Sequence, residues 1–580
     1  MIQRVKRRLE QRWEKFGRTV FGCLLRLFIG RMFYGDTEPA AGEANRGVAV
    51  MVILLALPGL LASLLMLQKY GSLIRFLRGQ QAVDPFVTPI ADEYSFIVLS
   101  IVVTGIVALW RWDSLFLDRR DYKNLVPLPI SLRSIFLANL CAILALTGIC
   151  TLVVNAASLL LFPAAVTASS TGIVFLRFAS GHFVAVVLAS CFSFFFVFAV
   201  AGILMAILPA TVFKRASLFV RFLLAVILLA MLGGSVINPE FFSRMATQSH
   251  RTLSMLPPLS FLGLARAVWG ASGDPYVARM TGAALIALGL TFATAAIAYS
   301  VSFRRLFIRI PETADVGLVP RLPVFLSALS PRFGRFLRKP AQRACYEFVG
   351  RTLLRSGTHL QIVLGFLALG SVVAACVLAS MTTPRSIIAG KTPPLAFLCI
   401  PFIWSYCVVV GIWFAFDVPM ELRANWIFRF WLDRDQHEAR AVARWVLLVF
   451  SLSWLAPACF VVTMVFWGWS VALLHTLVLS ICTFVLVEAL LVRMRKIPFT
   501  CSYPTFKSNA GIIACGYLFG FLFFSDYLVQ VERWCLLNPW RVLLFAPLVP
   551  IVLWATYLYR KQLLAMDKEL IFEEVSEFEF

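Results

Sequence analysis

Between residues 47 and 559 the chain is a succession of apolar runs, each 17 to 28 residues long, separated by more polar or basic stretches. About 20 apolar residues in a helix cross the roughly 30 Å hydrocarbon layer of a bilayer. Within that layer only structures that satisfy all their backbone hydrogen bonds internally persist. The pattern therefore confines the chain to a bundle of membrane-spanning helices. Composition agrees: of 580 residues 60% are hydrophobic and only 14% charged, and mean hydropathy is +0.84, whereas soluble domains carry about 25% charged residues. A soluble multidomain protein is excluded, and so is a disordered chain, which needs few apolar residues and a high charge fraction.

Twelve spans are expected, at 47–68, 94–110, 135–162, 182–209, 217–237, 280–303, 361–380, 394–416, 442–468, 470–492, 511–530 and 541–559, with a tight hairpin at Gly468 between the ninth and tenth. Residues 1 to 20 are too charged for a signal peptide, so the first spans are expected to direct insertion. Lys and Arg concentrate in the N-terminal segment, the loops after even-numbered spans and the C-terminal tail, which hold about forty of them against about a dozen in the other loops. Positive charge stays cytoplasmic, so both termini are expected there. The net charge of +23 would suit nucleic acid if it were gathered on one domain, but it is dispersed between apolar runs, and no nucleic-acid partner is expected. Most of the 13 cysteines lie inside apolar runs, where a thiol packs as a small hydrophobe, and no disulfide framework is visible.

The long basic loop from Arg304 to His359, broken by Pro311, Pro320, Pro323, Pro331 and Pro340, divides the chain into two halves. Phe28-Ile29-Gly30-Arg31 before the first span is echoed by Phe348-Val349-Gly350-Arg351 before the seventh. Leu117-Asp118-Arg119 after the second is echoed by Leu432-Asp433-Arg434 after the eighth. These matches at equivalent places favour a 6+6 duplication. The expected fold is all-α: a polytopic membrane protein of about 12 helices in a 6+6 pseudo-repeat plus interfacial amphipathic helices. Its segments are an amphipathic start (1–46), a six-span half (47–303), a basic linker with an interfacial helix (304–360), a second six-span half (361–559) and an acidic tail (560–580). Ile2, Val5, Leu9, Trp13, Phe16 and Val20 recur at helical spacing among basic residues, as in a helix lying in the headgroup plane. Phe333, Phe336 and Leu337 followed by Cys345, Phe348 and Leu353 suggest a similar element before span seven.

The most informative loop runs from Trp110 through Arg111, Asp113, Phe116, Asp118, Arg119, Arg120, Tyr122 and Lys123 to Leu128-Pro129-Ile130-Ser131, and reads as a short amphipathic helix ending at a Pro-Leu-Pro turn. Here the sequence resembles the permeases of type-two ABC exporters, in which six spans per half follow an interfacial helix and the loop after the second span forms a coupling helix that docks on a separate ATPase. Leu128-Pro129-Ile130-Ser131 is similar to that family's loop. The second copy, Glu421 to Phe430, departs from it by lacking a Leu-Pro. The resemblance implies a transport subunit in the plasma (bacterial inner) membrane. It also implies no cofactor in this chain, and cytoplasmic ABC ATPase subunits, two copies, as partners that bind the ATP, with membrane lipid around it. Docking is expected on Phe116, Asp118, Arg119, Arg120, Tyr122, Leu128 and Pro129 in the first loop, and on Trp426, Phe428, Arg429, Asp433 and Arg434 in the second, where aromatic anchors stand beside charged side chains.

No phosphate-cradling loop stands in the chain itself. Gly390-Lys391-Thr392 has Arg385 where the leading glycine belongs and is followed by Pro393 and Pro394 instead of a helix. Two other classes remain. One is a non-transporting scaffold of a membrane complex. The other is an ion-coupled secondary carrier, for which Asp118-Arg119-Arg120 partly matches the major-facilitator loop, although Ser114 and Asp121 replace its glycines. Such carriers place carboxylates at mid-membrane, and Glu488 is the candidate intramembrane polar site, able to serve an ion or to pair with Arg493 or Arg495. The five histidines are scattered, and no metal site or catalytic constellation is expected. Asp433, Asp435, His437 and Glu438 read as a salt-bridged helix face. The stretch from Asn238 to Leu262 is too broken to span and too apolar to be fully solvated, which suggests a re-entrant or interfacial hairpin, while Gly516 and Gly520 suit close helix packing. The tail from Glu569 to Phe580 is either a partner-docking peptide or a disordered end. The scarcity of buried charge points to a lipid-like or amphipathic cargo. If the charge count sets the topology, a single cysteine at residue 330 on a cysteine-depleted background reacts with maleimide only after the membrane is permeabilised; labelling from outside rejects the arrangement.

Overall fold

A computed structural model describes residues 19–34, 41–70, 84–112, 115, 124–125, 127–168, 170–237, 255–303, 337, 339–379, 393–420, 436–494, 496–500 and 510–566. The regular elements among them are all helical. Among the described residues nine helices are long and apolar enough to cross a membrane, and the chain is a multi-span membrane protein. Many of their large side chains face outward, such as Leu160, Ile207, Val236 and Ile286, each at least 70% exposed. An outer surface of this kind is suited to lipid rather than water.

The chain divides into two compact units, Met1–Ser217 with Ile227–Val316, and Leu218–Val226 with Gly317–Phe580. In chain order up to residue 303 the helices are α1 (Val20–Tyr34), α2 (Ala41–Tyr70), α3 (Ile90–Trp110), α4 (Leu132–Val166), α5 (Gly172–Ile207), α6 (Ala210–Ile237), α7 (Pro257–Arg266) and α8 (Pro275–Phe303). Within the first unit α4 packs on α1, α2 and α5, and α5 also packs on α3, α7 and α8. Ser131 starts α4 by accepting the Ser134 amide on its hydroxyl at 3.2 Å, an N-cap that satisfies one of the free donors of the first turn. Polar side chains stitch the helices where no water is available: Ser100 donates to Asn155 Oδ1 at 2.6 Å, Asn155 Nδ2 to Ser190 Oγ at 3.1 Å, and Asn139 Nδ2 to Tyr299 Oη at 2.9 Å. Bonds of this kind between membrane helices contribute about 0.6 kcal/mol each.

The second unit holds α9 (Pro340–Arg355), α10 (Gly357–Ala379), α11 (Leu395–Ala415), α12 (Gln436–Trp467), α13 (Trp469–Leu490), α14 (Ala510–Leu522), α15 (Leu528–Leu537) and α16 (Leu548–Met566). Here α11 is central, packing on α10, α12, α13 and α15, while α9 lies against α12. Ser405 on α11 bonds Thr483 on α13 at 2.7 Å, and Tyr406 Oη donates to the Tyr517 carbonyl of α14 at 2.7 Å. The hairpin expected at Gly468 is present: one residue at φ +87° separates α12 from α13, a left-handed conformation that glycine adopts without strain.

The nine long helices coincide with nine expected runs, and of the other three the eleventh and twelfth are interrupted. The first run, 47–68, lies wholly within the 30-residue α2. The eleventh is divided by a π-helical turn, Phe523–Tyr527, between α14 and α15. The twelfth is split near Pro547 into a single turn, Val542–Phe545, and α16. In the stretch expected to be a re-entrant or interfacial hairpin, 257–266 forms the ten-residue α7, largely buried and joined through a π-helical turn to α8; residues 238–254 lie outside the described residues. Of the glycine pair, Gly520 approaches a neighbour, the Tyr406 hydroxyl, whereas Gly516 faces open space.

Among the described glycines of the first unit, the tightest approach to another helix's backbone is α2 on α4 at Gly59, where a Cβ would lie 2.4 Å from the Val154 carbonyl oxygen. Backbone cannot rotate away as a side chain can. Gly59→Val is therefore expected to cost about 1–3 kcal/mol through overpacking. Gly148→Ala, where a Cβ meets nothing within 4 Å, is expected to leave thermal unfolding in detergent unchanged or raised; equal melting temperatures for the two variants contradict this packing.

Candidate functional site

Two loop roots, one ion cluster and two buried His–Glu couples carry the polar chemistry of the described residues. At the first root Trp112 and Leu115 are buried at 1% and 0% exposure, and Leu125 is buried as well. The Leu125 carbonyl accepts the Leu128 amide at 3.2 Å, and the Leu128 carbonyl accepts the Ile130 amide at 2.7 Å. This turn presents Leu128 and Pro129 outward immediately before the Ser131 cap. Phe116, Asp118, Arg119, Arg120 and Tyr122, expected on the same loop, lie outside the described residues.

The second root is held from three helices. After α11 the Phe416 carbonyl accepts the Phe499 amide at 3.1 Å, and the Phe499 carbonyl accepts the Met420 amide at 3.1 Å, so the segment following α13 is laced to the start of the loop. Phe499 sits at φ +69°, a conformation that persists in a bulky residue only where its surroundings overdetermine it. Those surroundings include the rings of Phe416 and His359, with centroids 5.6 and 4.5 Å away. His359, from α10, donates Nε2–H to the Val418 carbonyl at 2.9 Å, which leaves Nδ1 to accept from the Ser356 hydroxyl at 2.6 Å. Asp417 pairs with Lys496; burial pushes the Asp417 carboxyl up, and the facing ammonium offsets only part of that. Beside this root a cleft of about 490 Å³ opens between α9 and Met420, lined by Glu347, Phe348, Arg351, Thr352 and Arg355. Trp426, Phe428, Arg429, Asp433 and Arg434 lie outside the described residues, as do the side chains of His437 and Glu438.

Glu488 is buried on α13 and ion-paired with both Arg440 and Arg444 of α12. These partners come from the neighbouring helix; of the candidates named from sequence, Arg495 and the side chain of Arg493 lie outside the described residues. Two guanidinium groups share one carboxylate, leaving the cluster net positive.

Sequence reasoning missed the most deeply buried polar pairs. Glu93 on α3 meets His182 Nδ1 on α5 at 2.8 Å, and Glu532 on α15 meets His475 Nδ1 on α13 at 2.6 Å. All four side chains are fully enclosed, at 0% exposure. Aromatic rings wall them in: Phe96 and Phe162 lie edge-on to His182, and Phe402 lies beside His475. Beside the first couple, Lys69 Nζ bonds both Asp92 oxygens at 3.0 and 2.7 Å, and Tyr70 donates to the same carboxylate. Glu93 stands one residue before an apolar run and Glu532 two residues after another, so each acid read as lying just outside the membrane. The pairing itself joins residues 89 and 57 positions apart and has no local signal. Among the described residues no cluster supplies the three or more ligands of a metal site.

Compared with known proteins, the chain matches no family model, no curated protein and no solved structure.

Removing one member of an enclosed pair strands the other without water, at a cost of about 3–5 kcal/mol. Glu532→Ala and His475→Ala are each expected to lower the unfolding temperature in detergent sharply, with the double variant far less destabilised than the sum. Glu532→Gln, which keeps an acceptor, is expected to lose less. Additive single effects contradict a coupled pair.

Proposed function

We propose that the chain is the transport subunit of an ABC-type exporter, built as two six-span halves and driven by separate ATPase subunits that bind its cytoplasmic loops. The observation that carries this reading is the succession of elements. A short helix precedes the first long helix in each unit, α1 before α2 and α9 before α10, the latter pair separated by Ser356 alone. A short helix that cannot span, α7, stands before the last long helix of the first unit. Type-two exporter permeases share this order of interfacial helix, spans and external hairpin, and the Leu128-Pro129 turn accompanies it. ATP-driven closure of the partners would push on both loops, and the helices rooted there would tilt to open a path for a lipid-like or amphipathic cargo.

The enclosed His–Glu couples favour a second reading, an ion-coupled carrier, because carboxylates and histidines inside a bundle are the parts from which proton relays are made. The two readings separate on the partner. A scaffold without transport is the outcome if neither holds.

Arg119→Glu with Arg120→Glu is expected to release the co-purifying ATPase while leaving the melting temperature of the membrane chain unchanged. Arg429→Glu with Arg434→Glu is expected to release it more weakly, since the second loop lacks the Leu-Pro turn. Wild-type retention of the ATPase in both variants, or no ATPase with the parent chain in native membranes, rejects the exporter reading.

A further inference from the structure

α16 exposes most of its surface. Along its described side chains, Trp554, Tyr557 and Tyr559 are 64%, 61% and 44% exposed, and only Val549, Leu553, Thr556 and Arg560 turn inward, at the spacing of a single helical stripe. The most enclosed residue of that stripe is its arginine. Arg560 is 3% exposed, and neither terminal guanidinium nitrogen has a hydrogen-bond partner among the described residues. α16 packs on α13 and on the turn Leu491–Arg493 that ends it. Those two elements carry one acidic residue, Glu488, which Arg440 and Arg444 already hold. Among the described residues of the two elements α16 packs on, positive charge is thus in excess, and their one carboxylate is already engaged.

A guanidinium removed from water with both terminal nitrogens unpartnered is among the most costly groups a membrane bundle can hold. Its planar fork of donors matches two oxygens of a phosphate. Exposed Trp and Tyr side chains on the same helix are typical of the headgroup level of a bilayer, and basic pockets between membrane helices at that level bind anionic headgroups. We propose that Arg560 binds the phosphate of an anionic phospholipid, one headgroup seated between α16 and the end of α13 with its acyl chains along the apolar outer face of α16. The exporter reading is not needed for this site: it concerns a resident lipid, and it stands or falls independently of any ATPase.

The test uses the purified full-length chain, delipidated in neutral detergent, with phosphatidylglycerol, phosphatidylcholine or inorganic phosphate added back. Native mass spectrometry is expected to show one phosphatidylglycerol retained per chain, at least tenfold more than phosphatidylcholine. Arg560→Gln is expected to lower that retention about tenfold, Arg560→Lys to keep part of it, and Lys561→Gln, one residue away and exposed, to keep all of it. If Arg560→Gln does not fold, the comparison of Arg560→Lys with Lys561→Gln decides, since both keep a folded chain with one altered basic residue. Displacement of the lipid by millimolar inorganic phosphate overturns the lipid assignment in favour of a free anion. A variant with Glu569, Glu573, Glu574, Glu577 and Glu579 changed to Gln is expected to retain the lipid as the parent does; if it loses stability as Arg560→Gln does, the chain's own tail is the anion and the proposal fails. Equal lipid retention by parent and Arg560→Gln also overturns it.

Discussion

A polar group that leaves water for the interior of a membrane bundle must find its partner there, and most of what is specific in this protein follows from that requirement. The backbone meets it by forming helices. Side chains meet it pairwise: Ser100, Asn155 and Ser190 across three helices of the first unit, Ser405 with Thr483 in the second, and the His–Glu couples at full enclosure. Apolar packing supplies little preference between one helix neighbour and another when lipid is the alternative. The polar contacts and close approaches such as Gly59 on Val154 therefore decide which helices lie side by side.

The two units solve this problem differently. Each places a histidine in the first third of a long helix, His182 on α5 and His475 on α13, and each pairs it with a glutamate through Nδ1. The acids come from different places, Glu93 from the start of α3 and Glu532 from the short helix α15 late in the chain. Two units descended from one duplicated ancestor would need to have moved one of these acids, whereas two independent solutions would need only that a buried imidazole finds any carboxylate. The loop roots diverge in the same way, with a Leu-Pro turn capped by Ser131 in one and a lacing of backbone and side-chain bonds around Phe499 in the other.

Length and apolarity made nine spans legible in sequence, because an uninterrupted run of hydrophobic residues leaves the backbone no alternative to helix in a bilayer. Where the runs were interrupted, the reading was less secure: Pro547 and the π-helical turn at Phe523–Tyr527 break stretches that hydropathy averages into single spans. Glu488 was visible as a buried acid because it stands within a run, but its partners, Arg440 and Arg444, lie on the preceding helix, where no local spacing links them to it. Glu93 and Glu532 were hidden by adjacency to a run's end, where an acid normally marks the interface. Arg560 was hidden for the same reason; a basic residue after the last span is what the positive-inside rule leads one to expect, and only the packing of α16 shows that it turns inward.

The second loop root has mechanical consequences that hold under either transport reading. His359 belongs to α10, Asp417 and Val418 follow α11, and Lys496 and Phe499 follow α13, so three helices meet at one short stretch of chain through an ion pair, three backbone-acceptor bonds and edge-on ring contacts. A force applied to the loop beyond Met420 cannot bend that stretch without breaking several of these contacts together. It is transmitted instead as a movement of α10, α11 and α13 as a group. The Ser405–Thr483 bond, farther along α11 and α13, keeps two of the three in register over part of their length. The first loop turns directly into the capped first turn of α4, so a push there acts on one long helix end-on. A partner engaging both loops would therefore drive a grouped displacement in one unit and a single-helix displacement in the other, and the two units would respond unequally to the same stroke.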